Sequence, residues 1–225
     1  MDDCMGKGML AVTAAILLLL EFWKWYSKAP PSPLGAAIVC VPVFAYAVYK
    51  MVGLQRQIKN LKQGLHGEKI VGQQLEHLRI HGYRVFHDLI GSGFNIDHIL
   101  VGPAGVFSIE TKTWSRNKGD KIRTDGKSVW QNQIEANPNP INQAKAQAGW
   151  PYRLIKEITD LNAFVQPVIL FPGWWVEEKI IESQPLVLNP DRLEVYLKQF
   201  PKRLEQKDIG LISNRLELLA RENKS

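Results

Sequence analysis

Apolar positions divide the chain into two unlike parts. Gly8 to Leu20 is apolar throughout and contains Ile16-Leu17-Leu18-Leu19-Leu20. Glu21 interrupts it, Phe22-Trp23-Lys24-Trp25-Tyr26 follows, and Ala29-Pro30-Pro31-Ser32-Pro33 reads as a helix-breaking turn. A second apolar run extends from Leu34 to Tyr49 and on through Met51-Val52-Gly53-Leu54. A membrane-crossing helix needs about 20 such residues, and both runs reach that once their flanking aromatics are counted. Trp, Tyr and a snorkelling Lys suit a membrane–water boundary. The pattern predicts a two-helix transmembrane hairpin over about 8–26 and 34–54. A cleaved signal peptide is the alternative for the first run, with Lys7 ahead of a short apolar core. Bulky aromatics where a cleavage site needs small residues, and the second run close behind, argue against it.

Past residue 54 the pattern becomes that of a mixed α/β fold. Leu54, Ile58, Leu61 and Leu65 recur at helical spacing and predict a helical linker over 55–66. This stripe suits packing on the domain or on a second copy of the chain, and is too short for a coiled coil. Val71, Leu75 and Leu78 predict a helix over 67–80 that Gly82 ends. Strands are predicted at 83–89, 95–101, 106–114, 164–171 and 186–188. Lys121 to Thr124 and Lys127 to Trp130 flank Asp125-Gly126, a hairpin signal. Asn139-Pro140 and Asn189-Pro190 each start a helix, with Asn as cap and Pro at the first position. The first of these is expected to break at Gly149-Trp150-Pro151, and a last helix runs from about 204 to 222. Helices flanking one central mixed sheet make the class α/β or α+β.

Charge sharpens this division. The 225 residues hold 28 Lys and Arg against 22 Asp and Glu, net +6. That bias suits a nucleic acid or an anionic membrane without choosing between them. Cys4 and Cys40 are the only cysteines, which excludes a disulfide framework and a cysteine-rich zinc site. Lys50, Arg56, Lys59 and Lys62 follow the second run, against Lys24 and Lys28 in the connecting loop. The positive-inside rule then places the C-terminal domain on the cytoplasmic side. The N-terminus, with Lys7 offset by Asp2 and Asp3, falls on the same side.

The chemistry concentrates in two of the strands. Glu110 and Lys112 lie two residues apart, hence on one face of a strand. Asp97 lies in the preceding strand, and Gly102-Pro103-Ala104-Gly105 reads as the turn joining the two. Each charge alone is an ordinary solvated strand end. Two carboxylates and an amine converging from apolar strands are costly to desolvate, and together predict a metal site for phosphodiester chemistry. Magnesium, or manganese in its place, takes one or two carboxylates and keeps several waters. Asp97 and Glu110 are the predicted ligands, and Lys112 would orient the attacking water or stabilise the anion that forms. Glu68, one turn before Val71 on the inward helix face, is a further metal candidate, or else a first-turn carboxylate favoured by the helix dipole. Gln143, one turn into the helix capped by Asn139, is placed to donate to phosphate or to position Lys112, or is an ordinary polar helix residue.

His98 is expected to point away from Asp97 and is read as structural. Trp174-Trp175 suits base stacking or loop packing. Arg116, Lys118, Lys121 and Arg123 belong to a basic run suited to a phosphate backbone, or equally to a solvated hairpin, and Asp120 and Asp125 dilute it.

Three motifs carry a family resemblance: Gly67-Glu68-Lys69, Asn95-Ile96-Asp97-His98-Ile99-Leu100-Val101-Gly102-Pro103, and Ile109-Glu110-Thr111-Lys112. With Asn139-Pro140 and Gln143, they resemble the NERD (nuclease-related domain) family over roughly 64–175. The resemblance implies a restriction-endonuclease-like fold of the PD-(D/E)xK superfamily, a mixed sheet flanked by helices. It also implies that Glu68, Asp97, Glu110 and Lys112 stand at the family's catalytic positions. Ile96 replaces the superfamily's name-giving proline, and Pro151 interrupts the helix after Gln143.

The organisation expected is therefore a hairpin over 1–54, a linker over 55–66, a nuclease-like domain over 67–175, and a C-terminal strand and helices over 176–225. The function expected is a membrane-anchored nuclease that uses Mg2+ or Mn2+ to cut DNA or RNA. Its partners are nucleic acid, the lipid bilayer and a second copy of the chain. An inactive nucleic-acid- or protein-binding module tethered to the membrane is the alternative. A membrane assembly protein built on the 54–65 helix is a third.

Overall fold

The computed structural model describes residues 16, 17, 19, 20, 22–28, 33–91, 94–177 and 184–222, with only the backbone at 33–40 and 222. The chain forms two compact units, Met1–Leu61 and Lys62–Ser225.

In the first unit residues 22–27 are helical, and helix α1 (Pro33–His77) begins. The apolar runs do not become the predicted hairpin. Among the described residues no helix is long and apolar enough to cross a membrane. Residues 8–15 of the first predicted span, and Asp2, Asp3 and Lys7, lie outside the described residues. Through the second, helix α1 continues past Lys50, Arg56, Lys59 and Lys62 with no described stretch long and apolar enough to span a bilayer. The two-pass hairpin, the membrane localisation and the cytoplasmic placement derived from it are thereby corrected. Leu54, Ile58, Leu61 and Leu65 are all exposed.

The expected linker over 55–66 is helical and continuous with the second run, and no new helix starts at 67: α1 runs unbroken through Gly64 and Gly67. It ends in a 3-10 turn, Leu78–His81, closed by Gly82 at φ 82°, the left-handed position that glycine adopts without strain.

The second unit is built on a five-stranded sheet. Its strands are β1 (Arg84–Ile90), β2 (Asn95–Gly102), β3 (Gly105–Thr111), β7 (Val165–Leu170) and β9 (Leu186–Leu188), in that spatial order. β1, β2 and β3 are antiparallel neighbours, while β7 and β9 join in parallel. Helix α1 and helix α3 (Pro190–Gln199) supply the core of one face, where Val71, Leu75, Leu78, Leu193 and Leu197 meet Leu100 and Phe107. Helix α2 (Pro140–Thr159) and helix α4 (Gln206–Glu222) supply that of the other, where Ile155, Ile209 and Ile212 meet Ile99, Val101 and Val106. With both faces covered, every residue of β3 is buried, the polar Ser108, Glu110 and Thr111 included.

Two further expectations change. Helix α2 does not break at Pro151 but continues to Thr159. An interior proline costs about 3 kcal/mol. Pro151 is itself buried, and the turn that follows buries Ile155 and packs Leu154 against the same cluster, which offsets that cost. There are also two sheets, not one. β4 (Lys121–Thr124), β5 (Val129–Gln131), β6 (Ile134–Glu135) and β8 (Trp175–Glu177) form a second sheet in the order β6-β5-β4-β8. Its apolar face packs Ile122, Val129 and Val176 against Ile141, Phe171 and Trp174.

Candidate active site

The site lies where two strands part. β2 and β3 pair from Gly102↔Gly105 as far as His98↔Ile109, and no further. Beyond that point β2 continues beside β1, through Leu89↔Ile96 and Ile90↔Asn95. β3 continues beside β7, through Glu110↔Ile169 and Thr111↔Leu170. Asp97 and Glu110, the next residue on each strand, therefore border a wedge. The unpaired backbone of the wedge is capped by a side chain: the Thr111 amide donates to Asp97 Oδ2 at 2.8 Å.

Strand alternation brings Lys112 back to the face of Glu110. Its Nζ donates to Glu110 Oε1 at 2.6 Å and to Gln143 Oε1 at 2.8 Å. Gln143 Nε2 closes the triangle by donating to Glu110 Oε1 at 2.7 Å. Gln143 reaches this point because Asn139 caps α2, accepting from the Ile141 amide at 3.0 Å, and Pro140 opens the helix. Glu110 is only 7 % exposed, so its charge is held by these two partners rather than by water.

The carboxylates repel one another. Burial first, then Glu110, pushes the Asp97 carboxyl up to about 7; the Thr111 amide pulls it down, Glu68 adds to the rise, and Lys112 opposes it. Burial, then Asp88 and Glu110, raises the Glu68 carboxyl as well. Glu68 thus stands within electrostatic reach of both strands, on the side where α1 crosses the wedge. That crossing is close because Gly67 has no side chain: a Cβ there would come within 1.9 Å of Thr113 Cγ2. Gln63 Nε2 fastens the same contact by donating to the Thr113 carbonyl at 2.7 Å.

His98 is buried beside its neighbour Asp97 but joins a different group. Its Nδ1 is hydrogen-bonded to His87 Nδ1 at 2.8 Å, and His87 Nε2 to Glu76 Oε1 at 3.0 Å. Burial, then His87, lowers the His98 imidazole to about 4. Arg79, bonded to Glu76, holds that carboxyl down at about 2.

Asp97, Glu110, Lys112 and Gln143 are therefore brought together by direct bonds or strand adjacency, with Glu68 beside them. Arg116, Lys118, Lys121 and Arg123 are not part of this group. Arg116 lies beside Gly173 and Lys118 is exposed. Lys121 pairs with Glu177, and Arg123 stacks on the Trp130 ring, 5.5 Å from its centroid. Trp174 is buried, whereas Trp175 is 72 % exposed.

Two residues of the site escape a reading of the sequence. Asp88, which the register His87↔His98 and Leu89↔Ile96 sets opposite Asp97, sits in β1 at φ 52°, a conformation uncommon for a non-glycine residue. Thr111, between Glu110 and Lys112, is 8 % exposed, and its Oγ1 has no hydrogen-bond partner. Neither carries a sequence signal, because both depend on where β2 and β3 separate.

Among the described residues no three His, Cys, Asp or Glu side chains form a ready-made metal cage. Asp97 and Glu110 present carboxylates on two adjacent strands, oxygen donors of the type a hard cation takes, and Thr111 next to Glu110 carries an orphaned buried hydroxyl.

Residues 63–172 match the family model of the nuclease-related domain, NERD. The matched stretch is just under half of the chain and contains Glu68, Asp97, Glu110, Lys112 and Gln143. It makes a nuclease-related function the coarse assignment for this domain. No curated protein and no solved structure matches the chain.

Proposed function

We propose that the second unit is a divalent-cation-dependent nuclease that hydrolyses phosphodiester bonds in DNA or RNA. The observation that carries this reading is the bonded triangle of Glu110, Lys112 and Gln143 beside Asp97, at the mouth of the wedge. A bound Mg2+ or Mn2+ supplies Lewis acidity and neutralises charge on the phosphate, and Asp97 and Glu110, with Glu68, are the residues to hold it.

The remaining work falls to the chain's own groups. An ammonium carries three N–H donors, and two of those on Lys112 are engaged by Glu110 and Gln143. The third is left for the attacking water or a phosphoryl oxygen. Because Gln143 both accepts from Lys112 and donates to Glu110, it fixes the ammonium in one direction, so no reorganisation is needed as charge develops. The low local dielectric that makes Asp97 and Glu68 hard to ionise also strengthens the pull of that ammonium on a phosphoryl anion. In the reaction a water oxygen bonds to phosphorus, the ester P–O bond breaks, and the alcohol leaves with a proton. Lys121, Arg123 and the exposed Trp175 on the second sheet provide cationic and aromatic surface for the rest of the polymer.

The test is cleavage of labelled single- and double-stranded DNA and RNA by the purified chain in Mg2+, Mn2+ or EDTA, beside Asp97→Ala. Cutting that needs the cation and is lost in the variant supports the assignment and identifies the substrate class. A folded protein that cuts no substrate, or cuts equally well in EDTA, overturns it.

A further inference from the structure

The wedge has an inner side that the bonded triangle does not use. Side chains on β3 and just beyond it alternate, so Glu110 and Lys112 face α2, and Thr111 and Thr113 face α1. Helix α1 fixes where Thr111 lies. Its Gly67 is against Thr113, while its Gly72 is against the other strand, where a Cβ would stand 3.4 Å from His87 Cε1 and 3.5 Å from His98 Cε1. One helical turn between these two glycines spans the wedge, and Glu68 belongs to that turn. Thr111 therefore faces the helix that carries Glu68. Its own amide is bonded to Asp97 Oδ2, so the residue adjoins that carboxylate.

A buried hydroxyl left without a partner loses its hydration and gains no bond in exchange. Thr111 Oγ1 is such a group. An apolar contact would have been served by Val, which has the same shape and no polar atom. A hydroxyl, which both donates and accepts, fits a water held between two carboxylates and a cation.

We propose that Thr111 is a further residue of this site, whose hydroxyl holds a water of the divalent cation in the wedge beneath α1, between Asp97 and Glu68. The inference rests on the divalent-cation reading above. It makes Thr111 a positioning residue: it acts on the cation through a water and touches no reacting atom.

Calorimetric titration of the full chain with Mn2+ tests it, with no substrate present. Thr111→Val should weaken Mn2+ binding about 10-fold, as loss of an outer-sphere partner does. Thr111→Ser keeps the hydroxyl and should bind within about threefold of the parent, well short of that outer-sphere loss. Asp97→Ala should abolish binding. Thr111→Val binding like the parent while Asp97→Ala does not overturns the role of Thr111 and leaves the cation reading standing. Thr111→Ser losing as much as Thr111→Val overturns it too, because binding would then respond to any change of packing at this position and not to the hydroxyl. Mn2+ bound equally by Asp97→Ala, or not bound by the parent chain, overturns the cation reading and this inference with it.

Discussion

The wedge between β2 and β3 and the outer face of the small sheet both carry charge, but they hold it in opposite ways. In the wedge, Glu110 is almost fully buried and bonded to Lys112 and Gln143, and burial has raised the Asp97 and Glu68 carboxyls. On the small sheet, Lys121 is exposed and paired to Glu177, and Arg123 covers an aromatic ring. Exposed pairs contribute about 0–1 kcal/mol and tolerate loss of a partner. A buried group deprived of its partner does not. Charges that desolvation penalises persist where chemistry uses them, whereas solvated charges are common on any protein surface. The wedge is therefore the place to look for large mutational effects, and the small sheet for small ones.

The sharpest test of that contrast is Asp97→Ala. Loss of a cation ligand worth several kcal/mol should lower kcat/KM for cleavage by about 10^3-fold or more. Lys112→Ala should lower kcat by about 10^2-fold with little change in KM, the mark of an interaction made in the transition state. Gln143→Ala leaves the ammonium but frees its direction, and should lower kcat about 10-fold, as loss of a supporting hydrogen bond does. If the two wedge variants that spare Asp97 behave like surface mutations, the comparison is broken.

pH gives a second handle on the same contrast. The Asp97 carboxyl is at about 7 in the folded, cation-free protein, against an ordinary value of 3.8. A folded-state value above the unfolded one means that the folded form holds the proton more tightly. Its contribution to stability is present below pH 3.8 and lost as pH rises through about 7. His98, lowered to about 4 from 6.5, acts in the opposite sense, destabilising as pH falls below 6.5. Thermal unfolding in EDTA should therefore show Tm falling between about pH 6 and 8 in the parent chain, and a flatter profile in Asp97→Asn. An identical slope in both would remove Asp97 from the account.

The smallest effects belong to the small sheet. Lys121→Ala and Arg123→Ala should each weaken nucleic-acid binding only a few-fold. Each should also reduce the slope of log K against log salt by about 0.7–0.9 for every phosphate no longer neutralised. A loss as large as that of Lys112→Ala would place these residues in the wedge's class.

What is legible in the sequence follows the same physics. Glu110 and Lys112 are readable because a period of two puts them on one face of a strand that is otherwise apolar. Gln143 is readable because Asn139-Pro140 fixes the start of its helix, and with it the turn that faces the strand. Thr111 and Asp88 are not, since their roles depend on where β2 stops pairing with β3, a long-range event with no local signature. β6 and β8, two and three residues long, are too short to show periodicity. Helix α1 reads in pieces because glycine at 64 and 67 resembles punctuation, yet both positions are helical. The N-terminal runs suggest a membrane hairpin by hydropathy alone, whereas among the described residues no helix is long and apolar enough to cross a membrane.

Gly67 has a bearing on how this domain is engineered or varied. Its missing Cβ is the clearance that lets a helix close on a strand, so the position behaves as a mechanical shim. Adding a single methyl there would lift Glu68 from the wedge without removing any charge, and so separate distance from chemistry in one substitution.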